Sequence, residues 1–190
     1  ILKEVGNIGA GHAATALSTM LNKKIDMKVP CVSMVSFNEM IELAGGPEHV
    51  VASVFLRIEG DAPGSMFFIL SLGQAEYFVR EMTNDPEFNL ANGSPSEIGL
   101  SALQELGNIS SGSYLSSLSD FTNLNLYPSV PALSIEMAGA VISLGLLELS
   151  QVGDYAIVID TALSEHGLDK SVNGHFFLLP DPPAFKTIFA

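Results

Sequence analysis

The chain has 190 residues, 47% of them hydrophobic and 15% charged, enough to enclose a substantial core and far from the composition of a disordered segment. Eight Lys and Arg against 21 Asp and Glu leave a formal net charge of −13 at pH 7. Such a charge repels phosphate backbones and anionic lipid surfaces, which argues against nucleic-acid and membrane partners.

Chain order begins with a helix, because apolar residues recur at helical spacing through Leu2, Val5, Ile8, Ala13, Ala16, Leu17 and Met20. Ile25 to Ser36 alternates as a strand does. Within it the lone Cys31 follows Val29-Pro30, a setting that reads as a small buried hydrophobe and not as a nucleophile. One cysteine allows no intrachain disulfide, and the cytoplasm is the expected compartment. Val50 to Glu59 and Ser65 to Ser71 read as an antiparallel hairpin around Gly60-Asp61-Ala62-Pro63-Gly64, followed by a short helix over Gln74 to Met82.

Thr83 to Pro95, rich in Asn, Asp, Pro and Gly, is a loop and the seam between halves. A second long helix follows, capped by Ser96 and patterned by Ile98, Leu103, Leu106, Ile109, Leu115 and Leu118. Leu124 to Met137 is again strand-like, with Pro128 and Pro131 marking edges or bends. Ala140 to Ser150 and Tyr155 to Ala162 read as strands flanking a turn at Gln151 to Asp154, His175 to Leu179 as a further strand, and Pro183 to Phe189 as a terminal helix. The most apolar stretch, Gly139 to Leu147, falls short of the roughly 20 residues a membrane span requires.

The two halves repeat one another. An offset of 101 positions aligns Leu2–Pro30 with Leu103–Pro131, and 11 of the 29 pairs are identical, against roughly two expected by chance. The fold class that follows is α+β: one domain over 1–190, with a pseudo-twofold repeat (about 1–90 and 91–190) of helix plus antiparallel strands, its sheet covered by two long helices. Short hairpin links argue against parallel crossovers.

The shared Glu-x-x-Asn carries the strongest chemical signal. Glu4 with Asn7, and Glu105 with Asn108, stand three apart on a helix, so each pair projects from one face with Cβ atoms about 5 to 6 Å apart. Glycines flank both pairs: Gly6, Gly9 and Gly11 in one helix, Gly107 and Gly112 in the other. Each costs a helix roughly 1 kcal/mol relative to Ala, so something offsets that cost. Bare backbone open to another protein's surface is one explanation, and close packing inside the chain is the other.

Other chemistries fare worse. Gly9-Ala10-Gly11-His12-Ala13-Ala14 satisfies Gly-x-Gly-x-x-Ala, but no buried strand precedes it, so the dinucleotide fingerprint fails on context. His12, His49, His166 and His175 show no ligand spacing, so no metal site is expected. No Gly-x-Ser-x-Gly occurs.

Ser101, Glu105, Asn108 and Pro131, with Glu4, Asn7 and Pro30 repeating all but the first position, resemble the signature of the CheC family of bacterial chemotaxis proteins. Leu2-Lys3-Glu4-Val5-Gly6-Asn7-Ile8-Gly9-Ala10-Gly11 and Leu126-Tyr127-Pro128-Ser129-Val130-Pro131 are similar to Bacillus-type members in particular. The resemblance implies a phosphatase that hydrolyses the aspartyl phosphate of a CheY-like response regulator. In it Asn7 and Asn108 hold a water in line with phosphorus, and Glu4 and Glu105 contact the regulator's lysine. It implies no cofactor of the chain's own, since Mg2+ comes with the regulator.

Gly6, Gly11, Ser101, Gly107 and Gly112 are expected at the partner surface. Glu136 stands where relatives carry an acid that engages a second partner, the receptor deamidase CheD, whose binding stimulates the phosphatase. A non-catalytic module that sequesters the regulator or CheD, and a purely structural repeat, remain as alternatives.

Overall fold

The computed structural model describes residues 1–91, 94–147 and 155–189. Its elements run α1 (Leu2–Leu21), β1 (Ile25–Lys28), β2 (Val32–Ser36), α2 (Phe37–Leu43), β3 (Val50–Gly60), β4 (Gly64–Ser71), α3 (Leu72–Thr83), α4 (Glu97–Thr122), β5 (Leu126–Pro128), β6 (Ala132–Met137), α5 (Ala138–Leu147), β7 (Tyr155–Glu165), β8 (Val172–Pro180) and α6 (Pro182–Phe189). The α+β expectation holds.

Each expected long strand after a helix is broken at its proline. Pro30 separates β1 from β2, and Pro131 separates β5 from β6, because proline removes a ladder donor and fixes its own φ. The eight described strands form one antiparallel sheet in the order β1-β7-β8-β4-β3-β5, with β2 also on β7 and β6 also on β3. The repeats therefore interlock: the first repeat's β1 and β2 pair with the second repeat's β7, while β5 and β6 pair with β3. Hairpins β3–β4 and β7–β8 meet along β4 and β8, with Phe68 opposite Phe176 and their rings stacked 4.2 Å apart.

Alternation along the central strands divides the apolar residues between two cores. Val54, Leu56, Met66, Phe68, Phe176 and Leu178 face α1, α3 and α4, whereas Val51, Phe67, Ile69, Phe177 and Leu179 face α2 and α5. Two helices escaped the sequence reading. Residues 140–147, expected as strand, belong to α5; the rest of that segment and its turn lie outside the described residues. α2 is closed by a capping box in which the Ser36 hydroxyl accepts from Glu39 N and the Glu39 carboxylate accepts from Ser36 N.

The repeat identities now acquire causes. Asn22 and Asn123 end α1 and α4 at φ 50° and 54°, left-handed positions that asparagine tolerates. The Ser18 hydroxyl accepts from Ile25 N and the Ser119 hydroxyl from Leu126 N, each tying its helix to the strand that follows. Leu17 and Leu118 are buried. Gly60, at φ 109°, lies so close to the Asn125 carbonyl that a Cβ would collide with it. Cys31, expected inside, is exposed, because it sits at the break between β1 and β2 with its carbonyl accepting from Asp160 N.

Candidate functional site

α1 and α4 pack side by side on the sheet. At their crossing a Cβ on Gly9 would stand 2.7 Å from the Tyr114 ring, so glycine there sets the distance between the helices. Beneath it Tyr114 lies edge-on to Phe176 at 4.8 Å and shares a 2.9 Å hydrogen bond with the Thr161 hydroxyl; burial pushes the Tyr114 phenol up to about 12.

The expected partner-facing glycines divide into two kinds. Nothing within 4 Å would meet a Cβ at Gly11 or Gly112, so both present bare helix to the outside. Gly6 and Gly107 do not: a Cβ would lie 3.3 Å from Val29 in one case and 2.6 Å from Val54 in the other. Both are buried, which assigns them to close packing of helix against sheet and corrects their expected place at a partner surface.

Glu4, Asn7, Ile8 and Gly11 are exposed along one stripe of α1. Ser101 is exposed, and Glu105, Asn108 and Gly112 half-buried, along the matching stripe of α4. Ile8 was expected in the buried face but is 56% exposed beside Asn7, whereas its repeat counterpart Ile109 is half-buried and packs against the core. Among the described residues no group of three or more His, Cys, Asp or Glu is arranged to hold a metal ion.

The two asparagines differ. Asn7 is turned to the proline corner: its Oδ1 accepts from Val29 N at 3.0 Å, and its Nδ2 donates to Lys3 O at 2.9 Å and to Val29 O at 3.3 Å. The side-chain amide of Asn108 has no hydrogen-bond partner among the described residues. In the second repeat Gln104, a residue the sequence reading passed over, holds the corner through Nε2 to Pro131 O at 3.0 Å.

Glu136 lies elsewhere. It sits on β6 opposite Val51, on the sheet face away from α1 and α4, and lines a cleft with Phe55, Val141 and Leu144 of the α5 side. Its Oε1 accepts from Met137 N at 2.9 Å, at the entry to α5.

The profile described as CheC-like family matches residues 1–34 and 98–135, the two helix–proline segments. Over 189 residues the chain is 52% identical to the CheY-P phosphatase CheC of Bacillus subtilis, covering all of this chain and 90% of that one. The chain belongs to the CheC-like family.

It is also 32% identical over 132 residues to the flagellar motor switch phosphatase FliY of B. subtilis, covering 70% of this chain but 34% of that larger protein. Among solved structures the Thermotoga maritima FliY crystal structure superposes at TM-score 0.70 with 20% identity, over 99% of this chain and 91% of that one. The chemotaxis protein CheX of Desulfovibrio desulfuricans superposes at TM-score 0.53 with 15% identity, over 93% and 99%. These likenesses show a shared fold. No helix among the described residues of this CheC-like chain is long and apolar enough to cross a membrane.

Proposed function

We propose that this chain dephosphorylates the aspartyl phosphate of a CheY-like response regulator, with Glu105 and Asn108 as the principal site and Glu4 and Asn7 as a second, weaker one. One observation carries the reading. When the repeat identities with an internal role are set aside, the side chains left form an outward stripe on each helix, and on α4 that stripe holds an amide with no internal partner. The 52% identity to a protein named as a CheY-P phosphatase supports it.

The chemistry follows from what phosphoryl transfer requires. Hydrolysis needs an in-line water and charge neutralisation more than a covalent partner from the enzyme. An amide suits the first task, since it accepts from the water while donating to a phosphoryl oxygen. A carboxylate one helical turn earlier can pair with the regulator's active-site lysine and fix the approach of the helix. The regulator brings Mg2+, so the chain needs no cofactor of its own. The bare backbone at Gly112, one turn beyond Asn108, lets the regulator come close. Ser101, one turn before Glu105, extends the contact.

Regulation by CheD belongs to the same proposal. Glu136 and the cleft below α5 occupy the opposite face of the sheet, so a second protein bound there leaves the α1 and α4 stripes open to the regulator. The occupied amide of Asn7 favours one further reading, in which the first site binds the regulator without turnover.

The test follows phosphate decay from a phosphorylated CheY-type regulator with Mg2+, with and without the wild-type chain and the Asn7→Ala, Asn108→Ala double variant. Accelerated decay by wild type, lost in a double variant that still folds, supports the proposal. Binding without acceleration by the wild type establishes the sequestering module in its place.

A further inference from the structure

The two proline corners are built differently, and that difference determines what each asparagine is left to do. In the first repeat Val29 is 1% exposed, and the Asn7 amide brackets its peptide through Val29 N and Val29 O. Both Nδ2 hydrogens and Oδ1 are engaged, so Asn7 reaches a substrate only by leaving a corner anchored in the core. In the second repeat the equivalent Val130 is 87% exposed, and its N–H has no partner among the described residues.

The second corner is held by other means. Ser129 N donates to Arg57 O at 2.8 Å, and Arg57 N donates to the Ser129 hydroxyl at 2.9 Å, which fastens the approach to Pro131 onto β3. Gln104 closes it from the helix side, through Nε2 to Pro131 O. Gln104 stands one turn before Asn108, at the repeat position of Lys3, whose exposed ammonium has no partner among the described residues.

We infer that Gln104 is a positioning residue for Asn108: by holding the proline corner at the Pro131 carbonyl it fixes the corner without the Asn108 amide, which is left free for the substrate. The inference rests on the phosphatase reading and adds to it the reason the two sites differ. In the first repeat Lys3 is exposed and makes no bond to the corner among the described residues, and Asn7 holds it instead.

The test isolates each site. In an Asn7→Ala background, Gln104→Lys is expected to lower kcat for regulator dephosphorylation at least about tenfold, as small misplacements of a reacting group do. KM for the phosphorylated regulator stays unchanged, and hydrogen exchange at Val130 N–H slows as Asn108 closes onto it. Unchanged kcat overturns the inference. So does a fall in kcat with Val130 exchange unaltered, which would place Gln104 in contact with the regulator itself.

The reciprocal graft, Lys3→Gln in an Asn108→Ala background, changes only an exposed side chain. It is expected to raise kcat several-fold and to speed exchange at Val29 N–H; no change in either overturns the inference independently. Phosphate decay that is equally fast with and without wild-type chain overturns the phosphatase reading instead, while exchange at Val29 and Val130 still decides whether Gln104 sets the corner.

Discussion

Single residues separate folding duties from working ones in this chain. Gly107 and Gly112 are both helical glycines of α4, yet a Cβ at Gly107 would press on Val54 at 2.6 Å while one at Gly112 meets nothing. Gly107→Ala is therefore expected to destabilise by about 1 to 3 kcal/mol through overpacking. Gly112→Ala is expected to stabilise by up to about 1 kcal/mol, because alanine is the better helix former, while weakening regulator binding. Urea unfolding of both variants, beside KM for the phosphorylated regulator, checks the pair.

Tyr114 gives a pH prediction at the same scale. Its folded pKa of about 12 lies above the unfolded value near 10. The neutral phenol therefore contributes stability that is fully present below pH 10 and is lost as pH rises toward 12, about 2 to 3 kcal/mol in all. Unfolding free energies across that range should fall more steeply for wild type than for Tyr114→Phe. Parallel slopes would show that Tyr114 is not the group responsible.

Legibility also differed residue by residue. Glu4, Asn7, Glu105 and Asn108 stood out because repetition is visible without coordinates. What the sequence could not reveal is which way each amide turns, since that depends on what holds each proline corner, Asn7 itself in the first and Gln104 in the second. Gln104 was invisible for a related reason: it faces Lys3 across the repeat, so the identity that flagged its neighbours is absent.

Elements were legible where local chemistry and tertiary context agreed. The two long helices and the β3–β4 hairpin followed from periodicity, because their apolar faces are the ones that meet the sheet, whereas the second hairpin, expected between Ala140–Ser150 and Tyr155–Ala162, is formed by β7 and β8. α5 was misread because Ala138–Leu147 is apolar on all sides, and short apolar runs carry no period that separates strand from helix. α2 carried a readable signal in Ser36-Phe37-Asn38-Glu39, a capping box overlooked where the strand expected over Ile25 to Ser36 ends. Its cap is testable: Ser36→Ala is expected to cost about 0.5 to 2 kcal/mol, read by thermal unfolding, with the dephosphorylation rate unchanged because α2 lies across the sheet from the stripes.

The whole molecule is an exchange between its halves. Because β1 and β2 complete the second repeat's hairpin while β5 and β6 complete the first's, neither half holds a finished sheet. Arg57 adds a further tie, reaching from β3 to Asp181 before α6 with contacts of 3.1 and 2.7 Å. Unfolding is accordingly expected to be a single transition, with probes in α1 and α4 melting together. Two separated transitions would show that the halves are independent units. The interlock also explains how one repeat's corner could diverge: each corner is braced by strands of the other half, so Val29 and Val130 answer to different surroundings.

The central claim is that α4 presents an uncommitted amide which completes another protein's phosphate site. Single-turnover dephosphorylation of a phosphorylated CheY-type regulator, comparing Asn108→Ala with Asn7→Ala at saturating chain, tests it most directly. The account predicts that Asn108→Ala loses about a hundredfold, as removal of a positioned catalytic group does, while Asn7→Ala retains most of the rate. An Asn108→Ala chain as fast as wild type would contradict it.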